Sequence, residues 1–211
     1  NGIDTSYYKP LGVPRSNRFL FLARFSSVKG PDLSIEACRK AGVGLDLVGD
    51  TSITNEPEFL EKCKRMCDAQ VVSNNPYTGC EAIGTSRSDG KPNIVMVGPA
   101  TRSETVHWFS QAHCLLHPNQ RFREPLGLAP LESMACGTPV VAFNYGAMRE
   151  TIKDRETGWL VNSMDEFTKA VEAVAYDRLG YNPWESIRKN CREWVADNFS
   201  LQRMINRYDE L

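Results

Sequence analysis

The sequence predicts an α/β fold in which a parallel β-sheet is covered by helices on both faces. Short apolar runs, each typical of a buried strand, alternate with amphipathic stretches of helical periodicity. Strands that alternate with helices in this way build a parallel sheet between two helical layers. The 211 residues suffice for one such domain with a substantial core and are too few for two full ones.

The apolar runs predict six strands, at residues 19–23, 45–49, 94–98, 114–117, 140–143 and 159–161. Helices are predicted at 31–41, 56–70, 103–112, 163–177, 183–197 and 200–210. A further helix is predicted to begin at about Leu128, and another is predicted between the last two strands. Residues 1–17 are polar, carry two prolines, and are predicted to be an extended linker. Residues 71–92, rich in Asn, Pro, Gly, Ser and Thr, are predicted to be a long loop or small insertion.

The composition is that of an ordinary globular protein. Twenty-five Lys and Arg residues are balanced by 26 Asp and Glu residues, and no long basic run is present, so no nucleic-acid partner is expected. No apolar run approaches the roughly 20 residues that span a bilayer. The seven cysteines are odd in number and scattered, which favours a reduced compartment.

The stretch from Glu124 to Glu132 reads Glu-Pro-Leu-Gly-Leu-Ala-Pro-Leu-Glu, two acids around a turn and a helix start. Pro130 suits a first helical turn, where its missing N–H loses no helical hydrogen bond. If the helix begins near Leu128, the N–H groups of Gly127, Leu128 and Ala129 are free. With the positive end of the helix dipole, these donors form a phosphate site.

The two acids repel phosphate, but they can accept hydrogen bonds from hydroxyl groups. The arrangement therefore suits a ligand with a diphosphate in the middle and a sugar at each end, which describes a nucleotide sugar. The alternative is that Glu132 only complements the helix dipole and that Glu124 is a surface acid.

These residues resemble the Glu-x7-Glu signature of retaining GT-B glycosyltransferases of family 4, also called group 1. The stretch 135–142, Ala-Cys-Gly-Thr-Pro-Val-Val-Ala, is similar to the helix-to-strand passage of that family, and 150–161 is similar as well. The resemblance implies a Rossmann-like domain, the C-terminal, donor-binding half of a GT-B fold. The implied reaction moves a hexose from a nucleoside-diphosphate sugar to an acceptor hydroxyl with retention of configuration.

The resemblance also implies roles for two cations after the first strand. Arg24 and Lys29 match the pair that binds the donor's diphosphate and stabilises the leaving group, and we predict that both are catalytic. Ala23 stands where the family usually has glycine, a mild departure. The alternative is that both cations are solvated surface residues.

By the same resemblance, Glu132 is expected to accept hydrogen bonds from the ribose, and Glu124 is expected to act at the donor sugar as a catalytic residue. Backbone N–H groups at 127–129 are expected to bind phosphate or sugar oxygens. Pro125 and Leu126 stand where the family often has Gly and Phe. Pro125 has no backbone N–H to donate, so the identity of the sugar is left open. His117 is the only histidine placed to line the cleft, and it is not predicted to be catalytic.

The chain is expected to use neither a metal nor a cofactor beyond the donor, because it contains no Asp-x-Asp motif. Cys63, Cys67 and Cys80 do not supply the four ligands of a structural zinc site. A NAD-type enzyme is disfavoured because no Gly-x-Gly-x-x-Gly follows the first strand. A catalytically silent nucleotide-sugar-binding domain and a GT-B epimerase remain as alternatives.

The sequence lacks an initiator Met, and Asn1–Asp4 followed by Tyr7–Pro10 resembles the family's interdomain linker. We therefore predict a fragment that consists of a linker remnant (1–17), a nucleotide-sugar-binding domain (18–180) and C-terminal helices (181–211). An acceptor glycan, lipid or small molecule would bind through the N-terminal half. A cytoplasmic location is expected, with any membrane contact made through that same half.

Overall fold

A computed structural model describes residues 1–51, 55–71, 90, 92–176 and 184–210. In this part of the chain, seven parallel strands form one sheet in the order β3-β4-β2-β1-β5-β6-β7. The strands are β1 (Phe19–Leu22), β2 (Leu45–Val48), β3 (Ala69–Val71), β4 (Ile94–Val97), β5 (Leu115–His117), β6 (Val140–Phe143) and β7 (Gly158–Val161). The helices are α1 (Pro31–Ala41), α2 (Pro57–Met66), α3 (Arg102–Gln111), α4 (Leu128–Ala135), α5 (Met148–Thr151), α6 (Met164–Ala175), α7 (Trp184–Phe199) and α8 (Leu201–Asp209).

The strand order confirms the predicted parallel α/β architecture. The first strand lies in the middle of the sheet, between β2 and β5, and the chain moves outward from it to both edges. On the helical layers, α1 packs against α2 and α6, and α4 packs against α3 and α7. The direction of winding reverses between β1 and β5, and ligands of open parallel sheets bind beyond the carboxyl ends of strands at such a point.

The prediction of one helix over 56–70 was wrong at its C-terminal end. Helix α2 ends at Met66, and Cys67 already has extended backbone angles. Residues Ala69–Val71 then form an edge strand that pairs in parallel with β4. Ala69 and Val71 are partly buried and Gln70 is exposed, so this short strand lacks the apolar run that identified the other strands. Most of the predicted loop at 71–92 lies outside the described residues, as does the boundary at 180.

The N-terminal segment packs against the domain instead of extending away from it. The N–H of Ile3 donates to the Phe199 carbonyl at 2.7 Å, and the Leu201 N–H donates to the Ile3 carbonyl at 2.8 Å. Ile3 and Tyr8 are both buried. The first eight residues are therefore packed on the domain through Ile3 and Tyr8, and the assignment of 1–17 as a linker remnant stays a prediction.

A buried ion pair fixes the amino ends of the central strands. The Arg18 guanidinium donates to both carboxylate oxygens of Asp46 on β2, at 2.7–3.0 Å. It also donates to the carbonyls of Leu45 and Asn93, so three neighbouring strand starts share one cation. Both side chains are about 7% exposed, which makes an uncompensated charge here unfavourable.

We expect Asp46→Ala to lower the free energy of unfolding by about 3 kcal/mol, because it leaves the Arg18 charge buried without its partner. The matched control is Glu36→Ala, which removes a solvated i,i+4 ion pair with Lys40 and should lower it by less than about 0.5 kcal/mol. Urea denaturation of the three proteins makes the comparison. Equal effects of the two substitutions would contradict the structural importance of the buried pair.

Candidate functional site

The residues singled out by the sequence lie on loops at the carboxyl edge of the sheet. Arg24 and Lys29 lie between β1 and α1, and Glu124 lies between β5 and α4. Since β1 and β5 are neighbours, these two loops meet. Glu132 lies one turn inside α4, on the helix that follows the same loop.

The structure brings Lys29 and Glu124 into direct contact. The Lys29 Nζ atom lies 2.5 Å from the Glu124 Oε2 atom, and both side chains are about 15% exposed. The Asn119 side-chain amide donates to the same oxygen at 2.9 Å. Both donors therefore hold Oε2, and the second carboxylate oxygen accepts no hydrogen bond from the described residues.

The surroundings of Glu124 keep its carboxylate ionised. Burial acts to raise the pKa of Glu124, but the hydrogen bond and the charge of Lys29, together with Asn119, hold the pKa below its usual value. Burial lowers the pKa of His117 to about 4, so this imidazole is neutral at pH 7. Its Nε2 atom is buried, lies 4.0 Å from Glu124 Oε2 and has no hydrogen-bond partner among the described residues.

The backbone at Glu124 is held by the loop after β6. The Ala147 N–H donates to the Glu124 carbonyl at 3.0 Å. The preceding residue, Gly146, has φ +62°, and a Cβ atom there would lie 2.7 Å from the same carbonyl oxygen. Only glycine fits both the left-handed conformation and this approach. Three consecutive loops of the sheet, after β1, β5 and β6, thus fix the position of one carboxylate.

Helix α4 begins as the sequence predicts. Gly127 is its N-terminal cap, with φ +80° in the left-handed region. No side chain caps this terminus, and the N–H groups of Gly127, Leu128 and Ala129 donate to no acceptor in the described part of the chain. Leu128 is exposed and Ala129 is partly exposed. These backbone donors, close in sequence to Glu124, are the arrangement that binds an anion.

Glu132 has a different environment from Glu124. Burial raises the pKa of Glu132, and the Tyr8 hydroxyl and the Arg102 charge oppose this rise only in part. Tyr8 belongs to the N-terminal segment and is buried. Arg102 begins α3, directly after the loop that follows β4. The second acid is thus set among an aromatic hydroxyl, a cation and the helix start.

Arg24 stands apart from these contacts. Its side chain is exposed, and it forms no hydrogen bond or ion pair with a described residue. Another arginine organises the loop instead: Arg121 donates to the Ser27 carbonyl at 2.7 Å and lies 3.5 Å from the buried Asp32 carboxylate. The roles assigned above to Arg24, Lys29, both glutamates and residues 127–129 stay predictions.

Sequence reasoning missed three polar neighbours of the two acids. Asn119 follows His117-Pro118 in a loop with no periodic signal, and Tyr8 and Arg102 are distant from Glu132 in the sequence. Tyr8 lies in a segment that was predicted to be a linker, so its burial was not expected from the sequence. His113, by contrast, packs between the rings of Phe19 and Trp184 and reaches the Val174 carbonyl, which is a structural role.

Within the described ranges, no group of three or more His, Cys, Asp or Glu side chains is placed to hold a metal ion. Cys63 and Cys67 lie on and just after α2, where the Cys67 thiol donates to the Cys63 carbonyl, and Cys80 lies outside the described residues. No helix in the described part of the chain is long and apolar enough to cross a membrane.

The two acids should have opposite effects on stability at pH 7. Glu124→Gln removes the charge that pairs with Lys29, so we expect it to lower the free energy of unfolding by about 1–2 kcal/mol. Glu132→Gln removes a charge that burial disfavours, so we expect a gain of up to about 1 kcal/mol. Thermal or urea unfolding at pH 7 measures both.

The pH dependence follows from the directions of the two pKa shifts. The pKa of folded Glu124 is lowered, so its contribution is present above the unfolded pKa and is lost as the pH falls through the folded value. The pKa of folded Glu132 is raised, so its unfavourable contribution is absent at low pH and develops as the pH rises through the folded value. For each variant, the difference from wild type in the free energy of unfolding should shrink below about pH 4. If both substitutions changed the free energy of unfolding at pH 7 in the same direction, this assignment would be contradicted.

Comparison with known proteins relates this geometry to characterised families. The model of the family described as "Glycosyl transferases group 1" matches residues 87–194, about half of the chain. A curated relative, D-inositol 3-phosphate glycosyltransferase from Paenarthrobacter aurescens, is 30% identical over 159 residues, which are 71% of this chain and 32% of that protein. The chain spans 32–45% of the length of the curated relatives that it matches.

Solved structures share the fold at low sequence identity. Anabaena Alr3699/HepE in complex with UDP-glucose aligns with a TM-score of 0.74 and 20% identity, covering 100% of this chain and 56% of that one. The C-terminal domain of a group 1 family glycosyl transferase from Francisella tularensis aligns with a TM-score of 0.68 and 20% identity, covering 95% of this chain and 100% of that one. The fold and the family match agree, and this chain belongs to the group 1 glycosyl transferases.

Proposed function

We propose that this chain binds a nucleoside-diphosphate sugar and forms the donor-binding half of a glycosyltransferase. In the proposed reaction, a hexose moves from the nucleoside diphosphate to an acceptor hydroxyl with retention of configuration. The acceptor, a glycan, lipid or small molecule, binds through a further domain. The family match and the UDP-glucose complex of Alr3699/HepE support the ligand class.

One observation carries this proposal: a helix terminus whose N–H groups have no acceptor in the described part of the chain lies between two carboxylates with different surroundings. The N–H groups at 127–129 suit the oxygens of a diphosphate. The unoccupied Glu124 oxygen suits a hydroxyl of the transferred sugar, and Glu132, deeper in α4, suits the ribose hydroxyls. This order of groups matches the order of sugar, diphosphate and nucleoside in the ligand.

The basic residues supply the charge that the reaction needs. Negative charge grows on the diphosphate as the bond to the sugar breaks, and preorganised donors at that point stabilise the transition state. Lys29 already lies beside Glu124 at the helix start, so it can contact phosphate while keeping its ion pair. Arg24, exposed on the same loop, can close over the ligand and bind two oxygens at once. We propose that these groups act without a metal ion or an additional cofactor.

Calorimetric titration with UDP, GDP and ADP tests the ligand class. We expect one diphosphate to bind at least about tenfold more tightly than NAD, the control dinucleotide, because NAD offers no terminal phosphate to the helix start. Binding of NAD alone, or equal binding of all four compounds, would contradict the proposal. A chain that binds one diphosphate tightly but transfers no sugar when joined to its N-terminal half would be a silent binding domain.

Substitution of the basic residues tests the phosphate assignment. We expect Arg24→Ala and Lys29→Ala each to weaken nucleoside diphosphate binding by about tenfold or more, since each removes a charge-assisted contact. Binding of the corresponding nucleoside should change little. The control is Arg65→Ala, an exposed arginine in the last turn of α2 at the opposite edge of the sheet. Equal losses for diphosphate and nucleoside would refute the assignment.

A further inference from the structure

We propose that Asn119 is the positioning residue of the Glu124 carboxylate and directs one oxygen of this carboxylate toward the transferred sugar. This inference rests on the proposed function, in which Glu124 binds a hydroxyl group of that sugar. Asn119 lies outside the Glu124–Glu132 stretch, two residues after the end of β5. The spacing of the two acids therefore assigns it no role.

The contact between the two side chains determines which oxygen of Glu124 is held. The Asn119 Nδ2 atom donates to Glu124 Oε2 at 2.9 Å. Because an ionised carboxylate only accepts hydrogen bonds, the amide turns its NH₂ group toward Glu124 and its oxygen away. The Lys29 Nζ atom lies 2.5 Å from the same Oε2 atom. With both donors on Oε2, the other carboxylate oxygen is left to accept a hydrogen bond from a ligand.

The same hydrogen bond spans the exposed part of the loop between β5 and α4. Residues 120–123 are all exposed, whereas Asn119 is buried and Glu124 is partly buried. The start of this loop is fixed by Pro118, which packs against Gly30 in the loop after β1. A Cβ atom at Gly30 would lie 3.1 Å from the Pro118 carbonyl oxygen. Asn119 therefore ties the Glu124 side chain to the packed base of its own loop.

Burial gives Asn119 a positioning role rather than a ligand-binding one. The residue is 2% exposed, so its side chain is not accessible to a ligand in the open cleft. Its Oδ1 atom is buried and has no hydrogen-bond partner in the described part of the chain. The side chain therefore does not form the local backbone turn that is typical of Asn in loops. A buried acceptor without a partner is unfavourable, and the contact of Nδ2 with Glu124 is the interaction that compensates for it.

The position of the carboxylate matters because the proposed sugar contact depends on a single oxygen. Donors from two different loops limit rotation of the Glu124 carboxylate, so less freedom is lost when the sugar binds. In the proposed function, Lys29 also contacts the diphosphate and shares its donors with the ligand. Asn119 has no such second contact, so it holds the carboxylate in place when Lys29 turns to the phosphate.

A purely structural role for Asn119 makes a different prediction. If Asn119 only stabilised the loop, its replacement would weaken the binding of nucleoside diphosphate and nucleotide sugar equally, because the N–H groups at 127–129 follow the same loop. If the contact had no role, both ligands would bind as they do to wild type. Only a role through Glu124 predicts a loss that is confined to the ligand that carries the sugar.

The experiment is calorimetric titration of the wild-type chain and its variants with a nucleoside diphosphate and the matching nucleotide sugar. The pairs are UDP with UDP-glucose, GDP with GDP-mannose and ADP with ADP-glucose, and the pair whose diphosphate binds wild type most tightly is used. We expect Asn119→Leu, which keeps the size but removes the donor, to bind the nucleotide sugar about five- to tenfold more weakly. The affinity for the diphosphate should stay within about twofold of wild type. Asn119→Ala provides a second variant without the donor, and thermal unfolding confirms that both fold.

Two further variants serve as controls. Asn190→Ala removes a side-chain amide on α7 that donates to the Glu156 carbonyl at 3.4 Å, and it should bind both ligands as wild type does. Glu124→Ala removes the carboxylate itself, so Asn119→Leu should cause no further loss in that background. A double-mutant cycle of these two substitutions measures this coupling.

A second measurement requires no ligand. Lys29 and Asn119 hold the pKa of Glu124 below its usual value, against the effect of burial, and the neighbouring His117 is neutral above about pH 4. Carbon-13 NMR of the Glu124 carboxyl group, assigned with Glu124→Gln, should therefore show a higher pKa in Asn119→Leu than in wild type. An unchanged pKa would contradict the hydrogen bond on which the inference depends.

The outcomes separate the two proposals. An unchanged affinity of Asn119→Leu for the nucleotide sugar, or equal losses for both ligands, would overturn the role of Asn119 while leaving donor binding intact. If Glu124→Ala bound the nucleotide sugar as well as wild type does, the sugar contact of Glu124 would be refuted, and the role of Asn119 with it. A wild-type chain that binds none of the pairs would overturn the proposed function itself.

Discussion

The ion pair between Lys29 and Glu124 is the contact on which the candidate site depends. It joins the loop after β1 to the loop after β5, and these two strands are neighbours at the centre of the sheet. In a parallel sheet, the loops that can meet at one edge are fixed by strand order, and here the order reverses between these strands. The fold thus brings one cation and one acid together, and side-chain chemistry then refines their positions through Asn119 and the Ala147 N–H.

The two glutamates of the motif illustrate how surroundings divide a pair of identical side chains. Glu124 is stabilised as an ion by Lys29, so the folded protein gains from its charge. Glu132 is partly buried with weaker compensation, so its charge opposes folding. Glu132 carries a charge that burial disfavours, and the N–H groups at 127–129 have no acceptor among the described residues. Such a combination is typical of a site that is prepared for a ligand. A bound diphosphate and ribose would satisfy both deficits at once.

Much of the fold could be predicted because buried strands and capped helices leave local signals. The run at 19–23 and the Gly30-Pro31 helix start depend only on neighbouring residues, and α1 begins and ends where the sequence predicts. The edge strand Ala69–Val71 could not be predicted, since its half-exposed residues carry no apolar run. In the site, the Glu124–Glu132 spacing was visible in the sequence, whereas Asn119 acts through a contact that only the folded chain creates.

The N-terminal segment shows what composition alone does not reveal. Polar residues and prolines predicted an extended segment, whereas Ile3 forms a bridge to the α7–α8 junction and both Ile3 and Tyr8 are buried. Arg192 satisfies carbonyls of this segment and of α4 together, so neither can move without exposing polar backbone groups. The position of the segment is therefore tied to that of helix α4, which carries Glu132.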